Sequence, residues 1–233
     1  MFIKKSKSDF KIKKIDKCYF SKAHNLKGYV KVPGDKSISQ RALIISLIST
    51  GKTIIEDILD SEDVYFTMKA VIQLGAILQV KKNFIEVQGV GLGNLVTPKK
   101  PIFMGNSGTG VRLLLGLVAG SNAIVTFYGD NSLTERPMDR IISPLVEMGA
   151  NIISSDEKKL PITITGARVK GFTLPINYML SIPSAQIKSS ILLAALTARG
   201  NSFITEYKKS RNYTEKMLSE RGVIIKNKKI NKD

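Results

Sequence analysis

Three glycines, Gly75, Gly149 and Gly222, close three similar segments at intervals of 74 and 73 residues, and this period constrains the fold of the 233-residue chain more than any other feature. The segments read MKAVIQLGA at 68–76, ISPLVEMGA at 142–150 and TEKMLSERGV at 214–223. Each spaces its apolar residues at i, i+3 and i+4, as a one-sided helix does, and each places glycine where the left-handed conformation ends a helix. Ser61, Ser132 and Ser210 stand ahead of them as expected caps, with Glu62, Glu135 and Glu215 near the first turns. Between these marks the pattern gives one plan: strand, small-residue-rich helix, strand, capped helix, two strands. Unit one is expected at 30–32, 37–48, 53–58, 63–74, 77–81 and 84–89. Unit two is expected at 102–104, 109–119, 123–128, 137–148, 151–154 and 162–165. Unit three is expected at 171–175, 185–198, 202–206, 213–221 and 223–226, without a final strand. The fold class is therefore α/β. Three βαβαββ units stand in pseudo-threefold arrangement, and their first helices, apolar nearly all round, are buried together.

Composition removes several classes. With 43% hydrophobic and 24% charged residues the chain is globular rather than disordered. No apolar run approaches the roughly 18 residues of a membrane span, and no apolar region of about 7–15 residues follows the basic start as in a secretory signal. One cysteine, Cys18, excludes an internal disulfide, and with His24 as the sole histidine it argues against a zinc site and for a cytoplasmic protein. The formal net charge of +17 would suggest nucleic acid, but residues 1–31 carry +8 and residues 226–233 carry +3, leaving only +6 on the 194 residues between. Both ends read as solvated lysine-rich tails. No tryptophan and no base-reading motif accompanies them, which argues against a nucleic-acid partner.

The first helix of every unit starts in a small and polar cluster: PGDKSISQR at 33–41, GNSGTGVR at 105–112 and SIPSAQIKS at 181–189. Helix N-termini present unpaired N–H groups and a partial positive charge, so three in register point to one anion site, with Lys36, Arg41 and Arg136 adding full charges. A Ser/His/Asp triad cannot be assembled with His24 alone, and no P-loop is present.

At these clusters the chain resembles the 3-phosphoshikimate 1-carboxyvinyltransferases, or EPSP synthases. The resemblance is carried by LKGYVKVPGDKSISQRA at 26–42, GNSGT at 105–109, SLTERPM at 132–138 and PSAQIKS at 183–189, and it covers about residues 26–225. The Ser-Ala-Gln form together with Arg211 resembles the glyphosate-tolerant subgroup. The family moves the enolpyruvyl group of phosphoenolpyruvate to the 5-hydroxyl of shikimate 3-phosphate in the route to chorismate and the aromatic amino acids, and the resemblance implies no metal or other cofactor. It implies that Lys36 lies between the substrates as the catalytic lysine, touching both. Ser37 and Arg41 would hold the shikimate carboxylate. Ser184, Gln186 and Arg211 would hold shikimate 3-phosphate, and Asn106, Gly108 and Arg136 the phosphate of phosphoenolpyruvate. Gly108, where tolerant relatives carry Ala, implies a pocket open to glyphosate. Gln40, Asn212 and Tyr213 depart from the His, Asp and His usual in the family.

Family members have two globes and about twice this length, so the resemblance implies a basic leader at 1–25, one globe at 26–225 (units 26–100, 101–168 and 169–225), a tail at 226–233 and no second globe. The family's proton-transferring acids belong to that other globe. The expectation is a chain inactive by itself, with a separately encoded C-terminal half as a partner that could complete it. The family is usually monomeric, but residues 26–32 would form an unpaired apolar strand, which favours self-association. The alternative reading is a non-catalytic anion-binding module of the same fold. A UDP-N-acetylglucosamine enolpyruvyl transferase fits less well, because its usual reactive cysteine belongs in the second unit and Cys18 lies outside the repeats.

Overall fold

A computed structural model describes residues 25, 27–154 and 158–228. The chain divides into two compact units, Met1–Val32 and Pro33–Asp233. In the first, residues 27–32 form neither helix nor strand, so the strand expected at 30–32 is not made; a strand exists only through its ladder, and this stretch has none among the described residues. Cys18, His24, the rest of residues 1–24, Leu26 and the tail beyond 228 lie outside the described residues.

The second unit holds the repeats. Unit one runs α1 (Lys36–Ile48), β1 (Lys52–Glu56), α2 (Glu62–Gln73), β2 (Ile77–Val80) and β3 (Phe84–Gln88). Unit two runs β4 (Ile102–Phe103), α3 (Gly108–Ala119), β5 (Ile124–Tyr128), a short α4 (Asn131–Thr134), α5 (Asp139–Glu147), β6 (Asn151–Ser154) and β7 (Ile162–Thr165). Unit three runs β8 (Asn177–Met179), α6 (Ala185–Ala195), β9 (Phe203–Thr205) and α7 (Tyr213–Ser219).

The period seen in the sequence is a repeated helix end. Gly75, Gly149 and Gly222 have φ of 115°, 98° and 85°. After α2, α5 and α7 the same pair of hydrogen bonds closes the turn: Gly75 to Ile72 and Ala76 to Val71, Gly149 to Val146 and Ala150 to Leu145, Gly222 to Ser219 and Val223 to Leu218. This is the Schellman geometry, for which glycine has no Cβ penalty.

The sheets follow the same plan at different degrees of completeness. Unit two orders its strands β4-β5-β7-β6, with β4 and β5 parallel and the other pairs antiparallel. Unit one forms the antiparallel part, β1-β3-β2, and unit three the parallel part, β8-β9. The first helices lie inside. Ten of the twelve residues of α3 are buried, and α1 and α6 are buried over most of their length. Helix α3 packs against both α1 and α6. Gly116 makes the α3–α6 approach possible: a Cβ there would stand 2.2 Å from the Ser190 carbonyl oxygen. The outer helices α2 and α5 bury one face each, Val64, Thr67, Ala70 and Val71 on the first and Ile141, Ile142, Pro144 and Leu145 on the second.

Four local expectations are corrected. The first strand of unit three lies at Asn177–Met179 rather than 171–175, because Leu174 donates its N–H to Met148 at the end of α5 and Pro175 has none to give; only Thr173 bridges, to Ala198. Residues 223–226 form no strand, and Ile224 is exposed. Ser61 caps α2, but Ser132 sits inside α4, whose cap is Asp130, and Ser210 turns back to Glu206 rather than capping α7. Helix α5 starts at Asp139, not 137, since Pro137 disfavours helical backbone at Arg136 and breaks the run into two.

Candidate functional site

A cleft of about 670 Å³ opens where α6 begins. Ser184 caps that helix by accepting from the Ile187 N–H, and Gln186 reaches across to donate to the Thr109 hydroxyl (3.0 Å), tying the starts of α6 and α3 together. Five residues expected from the sequence to hold substrate line the cleft: Ser37, Arg41, Ser184, Gln186 and Arg211. Lys208, Lys209 and Tyr213 join them, and no described carboxylate does. A wall with four cations and no facing acid attracts anions and focuses their approach.

Arg41 is set deep, only 3% exposed. Its Nε donates to the Thr214 hydroxyl (2.7 Å), Nη1 to the Ser37 carbonyl (2.9 Å) and Nη2 to the Ser189 hydroxyl (3.2 Å). Guanidinium has five N–H donors, so one on each terminal nitrogen is left over, the arrangement a bidentate carboxylate contact needs. Burial lowers its pKa and the nearby charges of Glu215 and Asp35 offset part of that; an arginine so placed keeps its charge at neutral pH.

The start of α3 forms a second group. Arg136 Nη2 donates to Asn106 Oδ1. A Cβ on Gly108 would fall 2.7 Å from Arg136 Nη1 and 3.1 Å from Arg112 Nη1, so two guanidinium groups lie against this one glycine. Arg112 is fixed by the carbonyls of Gly108 (3.3 Å) and Pro137 (3.2 Å), and its pKa is lowered by burial and then by the charge of Arg136. Ser107 gives α3 no side-chain cap, because its hydroxyl accepts from Gln40 Nε2 at 2.6 Å. Paired arginines at an uncapped helix start suit a phosphate-sized anion.

Comparison with known proteins decides the family. The family model for EPSP synthase (3-phosphoshikimate 1-carboxyvinyltransferase) matches residues 20–232. The chain belongs to the EPSP synthase family. It is similar to the 3-phosphoshikimate 1-carboxyvinyltransferase of Lactococcus lactis subsp. cremoris, 47% identical over 206 residues, which are 88% of this chain and 47% of the relative. That of Afipia carboxidovorans is 47% identical over 201 residues, 86% of this chain and 45% of the relative. In three dimensions it resembles EPSP synthase from Acinetobacter baumannii, with a TM-score of 0.81 and 38% identity over 86% of this chain and 45% of that one. The chain thus spans about half the length of the EPSP synthases it matches.

Within this EPSP synthase fold the structure does not gather all the expected residues in one cleft. Asn106, Gly108 and Arg136 form the α3 group, and Lys36 stands apart from the lining of the main cleft, its Nζ paired with Asp63 at 2.8 Å. Sequence reasoning did not name Asp63, Arg112, Lys208 or Lys209 as site residues, and it named Gln40 only as a departure from the family's usual His. Arg112 carried a usable signal, a cation four residues after the glycine of a helix start. Lys208 and Lys209 read as an ordinary solvated loop. Gln40 is fully buried and donates to Ser107, to Thr67 (3.1 Å) and to the Asp63 carbonyl (3.3 Å), joining α1, α2 and the start of α3. Among the described residues no group of three His, Cys, Asp or Glu could hold a metal, and no helix is long and apolar enough to cross a membrane.

Proposed function

We propose that this chain provides the shikimate 3-phosphate site, and part of the phosphoenolpyruvate site, for enolpyruvyl transfer to the 5-hydroxyl of shikimate 3-phosphate, in a cytoplasmic setting. The observation that carries the reading is the acid-free cleft bearing Arg41, Lys208, Lys209 and Arg211 beside the capped start of α6. Its charge matches a substrate with one carboxylate and one phosphate. Ser37 and Arg41 take the carboxylate; Ser184, Gln186 and Arg211 take the phosphate. Asn106, Arg136 and the backbone at Gly108 take the phosphate of phosphoenolpyruvate, with Arg112 as a further cation. Lys36, held by Asp63, supplies charge near the reacting hydroxyl.

Addition to the enol requires one group to protonate the methylene carbon and another to accept the hydroxyl proton. No described carboxylate lines the cleft, so the chain contributes binding, and proton transfer falls to groups from outside the described residues, for which a second polypeptide is the proposed source. The glyphosate-tolerant subgroup is the finer assignment, supported by the Ser184-Ala185-Gln186 run and by Arg211 in the cleft wall. Against tolerance stands Gly108 in place of the Ala of tolerant relatives, since a Cβ there would crowd the guanidinium groups of Arg136 and Arg112.

The test is calorimetric titration of the purified chain with shikimate 3-phosphate. Saturable binding, weakened at least tenfold in Arg211→Ala and in Gln186→Ala, is the expected result. A folded chain that does not bind, or binding indifferent to both substitutions, would refute the reading. Phosphate release from the two substrates by the chain alone, lost in Lys36→Ala, would contradict the assignment of binding without turnover.

A further inference from the structure

Behind the cation-bearing wall lies a cluster that the functional reading leaves unused. Lys188, on α6, places Nζ 2.9 Å from Glu206 Oε1 and 2.7 Å from Glu215 Oε1. The three side chains are 9%, 18% and 10% exposed, so all are largely withdrawn from water. The second oxygen of Glu206 accepts from the Ser210 hydroxyl (2.7 Å) and from the Ser210 N–H (3.2 Å). Glu206 thereby closes a loop on itself, with Lys208 and Lys209 inside the closure and Arg211 directly after it. Partial burial raises the Glu206 pKa, but the hydrogen bonds from Lys188 and Ser210 outweigh this and hold it below the ordinary carboxylate value.

Three neighbouring cations on an untethered loop would spread apart by mutual repulsion and keep their side-chain freedom. A loop tied at both ends meets that cost before any ligand arrives. We infer that Glu206 is a positioning residue, which clasps the loop to Lys188 and Ser210 so that Lys208, Lys209 and Arg211 stand at the cleft wall ready for a phosphate monoester. This rests on the reading of the cleft as the shikimate 3-phosphate site.

The experiment compares the wild-type chain with Glu206→Gln and Ser210→Ala by titration with shikimate 3-phosphate and by amide hydrogen exchange at Ser210. Lys188 keeps Glu215 in Glu206→Gln, so no unpaired charge is left buried; Ser210→Ala removes only one hydroxyl and guards against a folding failure of the first variant. Glu206→Gln is expected to bind about tenfold more weakly and Ser210→Ala about threefold more weakly, with both variants still folded. Ser210 exchange should accelerate in Glu206→Gln and return to the wild-type rate when shikimate 3-phosphate saturates the cleft, a recovery that a purely structural role would not produce. Wild-type affinity in both variants, or lost affinity with unaltered Ser210 exchange, would overturn the inference. If the wild-type chain itself does not bind, the functional reading fails separately, and Ser210 exchange in Glu206→Gln alone decides the clasp: faster exchange upholds it and an unchanged rate refutes it.

Discussion

Units two and three share one plan but are held together differently. Unit two closes a four-stranded sheet over fully buried Phe127, and Thr126 and Thr163 join hydroxyls across it at 2.9 Å. Unit three pairs only β8 with β9 and leaves Met179 and Phe203 exposed. What fixes it instead is the close approach of α6 to α3 at Gly116, the Thr197 hydroxyl donating to the Gly120 carbonyl (2.6 Å), and the Lys188 ion cluster. The main cleft is built largely on this second kind of scaffold. A cleft wall can therefore be positioned by helix starts and buried ion pairs rather than by a regular sheet.

The largest effect that separates the two units is expected from Phe127→Ala, which empties the centre of the unit-two sheet and should cost about 3–5 kcal/mol in urea unfolding. Gly116→Ala attacks the joint between them. Its Cβ would meet the Ser190 carbonyl at 2.2 Å, so α6 must move, at roughly 1–3 kcal/mol in the same assay and with weaker shikimate 3-phosphate binding. Acid should loosen unit three alone. The folded pKa of Glu206 is depressed below its ordinary 4.5, so its contribution is present above that value and is lost as pH falls through the lower folded one. The protection factor of the Ser210 amide is expected to fall below pH 4.5 while that of Ile164, in the β5–β7 ladder, holds. The smallest effect is Phe203→Ser, on an exposed strand position, within about 0.5 kcal/mol.

The repeat was legible because its mark is local: a helix stripe and one glycine with positive φ specify each helix end without help from the rest of the chain. The three buried first helices were legible for the same reason, through apolar residues on every face. The strand expected at 30–32 and that expected at 223–226 failed because a strand depends on a distant ladder, which a run of valines or isoleucines cannot supply alone. Ser132 and Ser210 were misread as caps, since a hydroxyl before a helix has other partners within reach, Glu206 in the second case. Of the site, Ser37, Arg41, Ser184, Gln186 and Arg211 were placed by their motifs and do share a cleft. The Lys188, Glu206 and Glu215 cluster left no local signal, because its members lie on three different segments and meet only after α6 and α7 pack.

The most direct test of the account is an amide NMR map of the chain titrated with shikimate 3-phosphate. Saturable shifts are expected at residues 184–189 and 208–213, with the start of α3 at 105–112 moving less and the unit-two sheet not at all. Shifts confined to the α3 start, or none in a folded chain, would contradict it.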